Sequence, residues 1–351
     1  MQDYIDELDL ALINALQVQP RSSWSVLGDV LGVDPVTVAR RWERLASDGA
    51  AWVTCLPGPG SAAAIRLMYV QIECYAGSTA SVIDALSRDP HVAYVDHLSG
   101  SPSVLILVTL PDDLLSPYLA QRLEGIKGVK WYRPSLILSA YGEASRWQLR
   151  ALEPAQIRAL ARSKAAKDTH THALDEIDRL LIKSLADDAR QSYAALAERA
   201  GISEATARRH VNRLISERHV LLRCEVAQPL TGWPVTAVYW LKVNPPELDT
   251  IARALSTMAE TRLSAGMTGP NNLLVVCWLR DVTDVHRLES AIVGRFPHLE
   301  IVDRATVLRA VKRMGRFLDE KGRSCGYLPI DYWPTWSAAD GAAQAVARTQ
   351  R

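Results

Sequence analysis

The spacing of hydrophobic and polar positions predicts a three-helix unit at the beginning of each half of the chain. Residues 5–17 place isoleucine and leucine at the intervals of a helix, and a second short helix is expected over 23–31. Asp34 and Pro35 suit the first positions of a third helix, which is expected to run to about Ser47. In the second half the same pattern predicts helices over residues 176–186, 192–200 and 204–217.

Beyond each three-helix unit the apolar residues alternate or form short runs, which is typical of strands. The first half is expected to have strands over 65–74, 92–98, 103–110 and 129–140, with helices over 78–88 and 112–125. The second half is expected to have strands over 235–243, 261–267, 272–279 and 299–310, with helices over 247–258 and 281–294. The order β-α-β-β-α-β is that of a ferredoxin-like domain. The predicted fold class is α+β, with two tandem units, each a winged, trihelical helix-turn-helix followed by a ferredoxin-like domain.

The two units are copies of one another. The segments Asp-Glu-Leu-Asp at residues 6–9 and Asp-Glu-Ile-Asp at residues 175–178 are related by an offset of 169 residues. The same offset relates Gly32 to Gly201 and Cys55 to Cys224. One polypeptide can therefore present what other proteins assemble from two subunits, as an internal pseudo-dimer or within a homo-oligomer.

These patterns set the expected domain boundaries. The helix-turn-helix domains are placed at 3–52 and 173–221, the ferredoxin-like domains at 62–145 and 232–316, the linker at 146–172 and an irregular tail at 319–351. We expect the linker to be solvated and partly helical after Pro154, and the last fifteen residues to be disordered.

Composition restricts the classes of function. The 351 residues carry a net charge of +1, so any surface that binds nucleic acid must be local. The five cysteines show no paired spacing, which argues against a disulfide framework or a zinc site. No apolar run approaches the roughly 20 residues that span a bilayer, and no signal peptide begins the chain. We expect a soluble, cytoplasmic, nucleoid-associated protein with no membrane contact, no metal and no cofactor.

The third helix of each copy has a polar face suited to double-stranded DNA. Its residues lie at helical spacing opposite an apolar stripe, and arginine forks there would contact guanine edges or phosphates. A merely solvated basic surface is the alternative. Arg21 and Arg190, which precede the second helices, are expected either to contact phosphate or to pair with an acidic neighbour such as Asp188. The predicted DNA-contacting residues of the third helices are Thr37, Arg40, Arg41, Arg44, Thr206, Arg209, His210 and Arg213.

The pattern Asp-x-x-Asp, Leu-x-x-Leu and Leu-Ala-x-x-x-Gly-x-Ser-x-x-Thr, followed by an Arg-rich helix and a ferredoxin-like domain, resembles the Lrp/AsnC family of bacterial transcription factors. Copy two carries it at Asp175, Asp178, Leu181, Leu185, Leu196, Ala197, Gly201, Ser203 and Thr206, and the resemblance covers about residues 3–142 and 173–316. It implies a regulator whose second domain assembles dimers and binds a small effector, typically an amino acid.

The chain departs from this family at two places. The family usually has arginine where Arg41 and His210 lie, so the second head is expected to bind DNA less tightly than the first. The family's Gly-x-x-Asp turn between the middle strands lacks its carboxylate in both copies. Effector binding is therefore assigned to the turn residues Gly100, Ser103, Gly269 and Asn272, with turns that bind no ligand as the alternative.

The function predicted from these features is sequence-specific transcriptional regulation by two DNA-binding heads, with an amino acid as the expected type of effector. No nucleophile or catalytic array is apparent, and we expect no enzymatic activity. Two alternatives remain open at this stage. One is an enzyme similar to the siroheme decarboxylases, some of which are tandem fusions of the same unit. The other is a sensor or assembly protein whose DNA-binding heads have decayed.

Overall fold

The computed structural model describes residues 5–61, 65–143, 147–161 and 172–334. The first head begins with a helix that Asp6 caps, followed by a short helix that Ser23 caps and a third that Asp34 caps. Gly32 ends the second helix with a left-handed backbone (φ 69°), which makes the tight turn before the third. The three helices are α1 (Glu7–Val18), α2 (Trp24–Leu31) and α3 (Pro35–Ser47).

The first ferredoxin-like domain has the predicted order of elements with two local differences. A strand not predicted from the sequence follows α3, and the helix expected over 112–125 is divided. Pro117 ends its α-helical part, and the chain continues as a π-helical turn over Tyr118–Leu123. The elements are β1 (Ala51–Pro57), β2 (Arg66–Cys74), α4 (Thr79–Ser87), β3 (Val92–Leu98), β4 (Val104–Leu110), α5 (Asp112–Pro117) and β5 (Val129–Gly142).

The linker contains one helix, α6 (Pro154–Ala161), which begins where Pro154 predicted it. It was expected to be solvated, and this is wrong for its described part. Trp147, Leu152 and Leu160 are buried in the hydrophobic cluster of the heads. The reason is that these three side chains supply apolar area to a small three-helix unit that has little core of its own. Residues 162–171 lie outside the described residues.

The second copy repeats the first and ends in a docked hairpin. The tail over 319–351 was expected to be irregular, but its strand β12 (Ser324–Tyr327) pairs with β11 (Arg316–Leu318), which lies just before it, and Ile330 and Tyr332 are buried. The last fifteen residues lie outside the described part of the chain. The elements are α7 (Glu176–Asp187), α8 (Tyr193–Ala200), α9 (Glu204–Ser216), β6 (Val220–Val226), β7 (Val235–Lys242), α10 (Leu248–Ser256), β8 (Thr261–Met267), β9 (Leu273–Leu279), α11 (Asp284–Arg295), β10 (Glu300–Arg313), β11 (Arg316–Leu318) and β12 (Ser324–Tyr327).

The two ferredoxin-like domains close into one barrel. Strand β5 pairs with β2 of its own copy and with β8 of the other, and β10 pairs with β7 of its own copy and with β3 of the other. Eight strands therefore form a ring in the order β2-β4-β3-β10-β7-β9-β8-β5. The helices cover the outside, and a cluster that includes Leu105, Trp240 and Leu274 fills part of the interior. The two copies thus form an internal pseudo-dimer.

A second cross-copy pairing joins the two heads. Strand β1 pairs antiparallel with β6, and the pair is centred on Thr54 opposite Arg223. These two positions are equivalent under the 169-residue offset, so the pseudo-twofold axis passes between them. Helices of both heads share one hydrophobic cluster, to which Leu16 and Leu185 contribute. The spacing of the two heads is therefore set by a shared core.

Arg21 and Arg190 form reciprocal contacts between the heads. Arg21 donates to the carbonyls of Ala189 and Gln191, the latter at 3.0 Å. Arg190 donates to the carbonyls of Pro20 at 2.7 Å and Ser22 at 3.0 Å. The guanidinium of Arg190 also lies 3.9 Å from the centre of the Trp24 ring, and that of Arg21 lies 4.7 Å from the Tyr193 ring.

These contacts correct the prediction for both arginines. The guanidinium groups are used between the heads, where backbone carbonyls need donors, so they are not placed to contact phosphate. Asp188 accepts a hydrogen bond from the backbone N–H of Arg190 at 2.8 Å and not from its guanidinium. Among the described helices, none combines the length and the apolar character needed to cross a membrane.

We predict that Arg21→Ala lowers the free energy of unfolding by about 1–3 kcal/mol, because two carbonyls between the heads lose a charged donor. Denaturant titration measures the change. Arg88→Ala is the matched control, since Arg88 makes a largely exposed pair with Asp84 and its removal should change stability by less than about 0.5 kcal/mol. Equal stability of Arg21→Ala and wild type would show that the reciprocal contacts do not hold the heads together.

Candidate functional site

The outer faces of α3 and α9 present two arginines with no ion-pair partner among the described residues, Arg40 and Arg209. Both are exposed, while Thr37 and Thr206 are half-exposed beside them. The Thr206 hydroxyl accepts a hydrogen bond from Ser203 at 2.9 Å. These four residues lie where the sequence placed them, on the outward face of the third helix of each head.

Arg41 and Arg44 have a different role from the predicted one. Arg41 Nη1 lies 2.7 Å from an oxygen of Asp6 and 2.9 Å from one of Asp9, and Arg44 Nη2 lies 2.5 Å from the other Asp9 oxygen. Asp9 is fully buried. A buried carboxylate without these partners would be strongly destabilising. The two arginines therefore join α3 to α1, and the same acidic pair caps α1.

The second head makes the same contact with His210 in place of an arginine. Its Nδ1 lies 2.8 Å from Asp178 Oδ1, and Arg213 lies 2.6 Å from the other oxygen of this buried carboxylate. Burial raises the pKa of Asp178, but its hydrogen bonds to His210 and Arg213 bring the pKa below the ordinary value. His210 is only 8% exposed, so the prediction that it faces DNA is wrong.

Asp175, Asp178 and His210 have oxygen and nitrogen atoms within 4.8 Å of one another, a spacing that a metal ion could use. Arg213 already brings a positive charge to Asp178. In the first copy Arg41 supplies the charge at the equivalent place. The cluster is thus the second version of a structural contact between the first and third helices.

The predicted effector residues lie in two equivalent turns and are used within the chain. Ser103 Oγ accepts a hydrogen bond from the backbone N–H of Cys74 at 3.1 Å. Asn272 accepts from the N–H of Val243 at 2.9 Å and donates to its carbonyl at 2.8 Å. Gly100 and Gly269 have positive φ angles of 89° and 108°, which their turns require. The assignment of these four residues as effector ligands is therefore corrected, because their polar groups hold the turns to the neighbouring strand.

A cavity of about 420 Å³ lies inside the barrel, beneath the β1–β6 ribbon, and was not predicted from the sequence. Apolar side chains from both copies line most of it. The missed signal was charge at inward positions of otherwise apolar strands. The charged and polar residues at the enclosed end of the cavity include Tyr94, Asp96, Glu143, Arg223, Glu225, Arg262 and Arg313.

Two of the arginines share a buried carboxylate. Arg223 Nη1 lies 2.8 Å from Glu225 Oε1, and Arg262 Nη2 lies 3.0 Å from Glu225 Oε2. Burial raises the pKa of Glu225, but Arg262 and Arg223 bring it below its ordinary value. Arg223 also donates to the hydroxyl of Tyr94 at 2.8 Å. Glu143 Oε2 lies 3.5 Å from Arg223 Nη2, so the two guanidinium groups are balanced by two carboxylates and held in place within the chain.

Arg313 is different, because its guanidinium makes no ion pair or hydrogen bond with any residue that the structure describes. The residue is 6% exposed, and its Nε is buried without a partner. Its guanidinium lies 5.7 Å from the centre of the Trp278 ring. Asp96 Oδ1 is likewise buried without a hydrogen-bond partner, and burial raises the pKa of Asp96 to about 6. Arg313 and Asp96 thus bring a cationic and an acidic group to the cavity, each with a buried polar atom that no described residue satisfies.

The second copy supplies charged residues to the cavity at positions where the first copy has none. The 169-residue offset places Thr54, Leu56 and Ala93 of the first copy where the second has Arg223, Glu225 and Arg262. Polar and apolar residues have thus been exchanged at equivalent positions.

Comparison with known families identifies the heads. Residues 5–46 match the AsnC-type helix-turn-helix domain, and residues 174–218 match a winged helix-turn-helix DNA-binding domain. An uncharacterized HTH-type transcriptional regulator of Pyrococcus abyssi is 25% identical over 143 residues, which is 40% of this chain and 90% of that protein. The HTH-type transcriptional regulator LrpA of Pyrococcus horikoshii is 24% identical over 141 residues, 40% of this chain and 99% of that protein.

The fold of the whole chain matches an enzyme. The crystal structure of the siroheme decarboxylase NirDL superposes with a TM-score of 0.63 at 11% identity, covering 99% of this chain and 100% of that one. A second NirDL structure, in co-complex with an iron-uroporphyrin III analogue, gives a TM-score of 0.60 at 12% identity over 88% of this chain and 93% of that one.

The expectation that this chain is not an enzyme is therefore corrected, because the complete tandem architecture occurs in one. The two helix-turn-helix matches and the half-length relatives agree with the family resemblance of the sequence. The chain thus carries two helix-turn-helix heads, and part of its length is similar to HTH-type regulators such as LrpA, which confirms the resemblance to the Lrp/AsnC family.

Proposed function

We propose that the chain is a DNA-binding transcriptional regulator that acts on nucleoid DNA in the cytoplasm and reads a two-part operator with one polypeptide. The observation that carries the proposal is the pair of outward third helices on heads whose spacing is fixed by the β1–β6 ribbon. Each helix offers an arginine that is exposed and has no internal ion pair, together with a threonine near its N-terminus. Arginine forks at such positions suit guanine edges and phosphates.

The pseudo-twofold axis implies an operator with two half-sites in roughly inverted orientation, as for helix-turn-helix dimers. The half-sites are not expected to be identical, because the two helix faces differ. Helix α9 adds Arg208 and Asn212 beside Arg209, whereas α3 has the acidic Glu43 and the exposed Val36 beside Arg40. The second head thus has more hydrogen-bond donors. We therefore expect it to bind DNA more tightly than the first head, the reverse of the order expected from His210 alone.

We predict that Arg40→Ala and Arg209→Ala each weaken binding to the operator by about tenfold, because each removes an arginine worth about 1–3 kcal/mol at a base edge or a charge at a phosphate. If the arginine contacts a phosphate, its removal should make the slope of log affinity against log salt concentration shallower by about one unit. If it contacts a base, the slope should change little. Fluorescence anisotropy on the chain's own upstream region measures both. Unchanged affinity in both variants would contradict the assignment of these helix faces.

Arg41→Ala is the matched comparison, since Arg41 lies one position from Arg40 but binds Asp6 and Asp9. We predict that it lowers the free energy of unfolding by about 3 kcal/mol, because a buried carboxylate loses a partner. Arg40→Ala should leave stability within about 0.5 kcal/mol of wild type. If Arg41→Ala is as stable as wild type and fails to bind DNA, its side chain belongs to the DNA-contacting surface after all.

A second function, catalysis, is favoured by the cavity. An acid with a raised pKa and an arginine without a partner, enclosed together, are features of functional sites. The siroheme decarboxylase NirDL shares the fold, so siroheme is the first substrate to test. Loss of carboxyl groups from siroheme, followed by mass spectrometry, would support catalysis if Arg313→Gln abolishes it. An unchanged substrate mass with wild type would reject siroheme decarboxylation by this chain.

A further inference from the structure

We propose that the barrel cavity is a binding site for a compact, singly charged carboxylate with an apolar body, seated with its carboxylate against Arg313. The proposal stands independently of DNA binding by the heads. It gives the cavity a ligand whether its role is regulatory or catalytic.

The first support is the unpaired arginine. Burying a guanidinium with no anionic partner is costly, and the other two arginines of the cavity have Glu225 between them. Arg313 lies at the end of β10 with its side chain 94% removed from solvent, since 6% remains exposed. A carboxylate matches the planar fork of a guanidinium and would satisfy the Nε that the chain leaves without a partner.

The second support is the sum of charges. Among the charged groups of the cavity that are withdrawn from solvent, three arginines, Arg223, Arg262 and Arg313, face two carboxylates, Glu225 and Glu143. Asp96 supplies a third carboxyl, and when this is protonated the cluster keeps one positive charge. A monoanion neutralises that charge. A zwitterion such as an amino acid leaves it in place, and a polycarboxylate introduces more negative charge than the cluster can balance.

The third support is the wall of the cavity. Apolar side chains supply most of its lining, and its volume of about 420 Å³ lies within the range of ordinary small-molecule sites. Arg218 lies exposed among the lining residues, where positive charge raises the local concentration of anions. The apolar lining includes Ile65, Leu67, Leu105, Leu107, Ile137 and Val276.

The site is expected to depend on pH through Asp96. The groups that interact with it electrostatically are Tyr69 from β2 and Arg313 from β10, and Tyr69 in turn interacts with Tyr94 and Arg223. Above its pKa of about 6, Asp96 is an anion that competes with the ligand for Arg313. Below that pKa it is neutral and able to donate a hydrogen bond. Affinity should therefore rise as pH falls from about 7.5 to about 5.5, where the ligand is still ionised.

Calorimetric titration of the full chain tests the proposal, with phenylacetate and hexanoate as probes and phenylacetamide as the uncharged match. We expect at least one carboxylate to bind, and the amide to bind at least about tenfold more weakly than phenylacetate. L-phenylalanine and iron-uroporphyrin III test the zwitterionic and polycarboxylate classes. Binding of either of these in preference to the monocarboxylates, or of none of the probes, would overturn the proposal.

The variants separate the site from the rest of the barrel. Arg313→Gln should weaken carboxylate binding by at least about tenfold, while Arg313→Lys keeps the charge without the fork and should lose less. Arg309→Gln is the matched control, because Arg309 is exposed on the same strand. The affinity of this variant for the carboxylate should stay within about twofold of wild type. If Arg313→Gln does not fold, the affinity of Arg313→Lys and the comparison of acid with amide on wild type still test the carboxylate site. Equal binding by wild type and Arg313→Lys, with the amide as tight as the acid, would contradict a carboxylate site.

Discussion

The architecture depends on backbone hydrogen bonds between the two copies. Taken alone, each ferredoxin-like sheet has two open edges, β3 and β5 in the first copy and β8 and β10 in the second. Unpaired strand edges are prone to association with other chains. The pairs β5–β8 and β10–β3 close all four edges at once, and only this closure creates an interior. The cavity is a consequence of that pairing, just as the relative position of the heads is a consequence of the pairing of β1 with β6.

The heads show how basic residues on one helix divide their roles. Three of the four arginines assigned to DNA on or beside the first head's helices are engaged inside the protein. Arg41 and Arg44 neutralise buried Asp9, and Arg21 caps carbonyls of the other head. The helical spacing of Arg40, Arg41 and Arg44 places them on one broad face, but the buried acid of α1 lies beside only part of it. The surface left for a partner is therefore smaller and less positive than the composition of the helix indicates.

The sequence predicted the periodic features well and the cross-copy features poorly. Helix spacing and the start of the third helix at Asp34 and Pro35 are local features, and each appears where expected. Strand β1 was missed because its seven residues are nearly all buried and show no alternation. The roles of Arg21 and Arg313 depend on groups far away in the chain, so spacing within one helix or strand carries no information about them.

The place of Arg223 on the pseudo-twofold axis explains why this chain is fused. In a dimer of identical subunits, the residue on the axis stands opposite itself, and an arginine there would set two buried cations against one another. Here Thr54 occupies the opposite position. When the two copies are joined in one chain, the two positions that face one another across the axis can hold different residues, because each can mutate separately. An asymmetric charged cavity at the centre of a twofold assembly is therefore possible in a tandem protein and is excluded in a dimer of identical subunits.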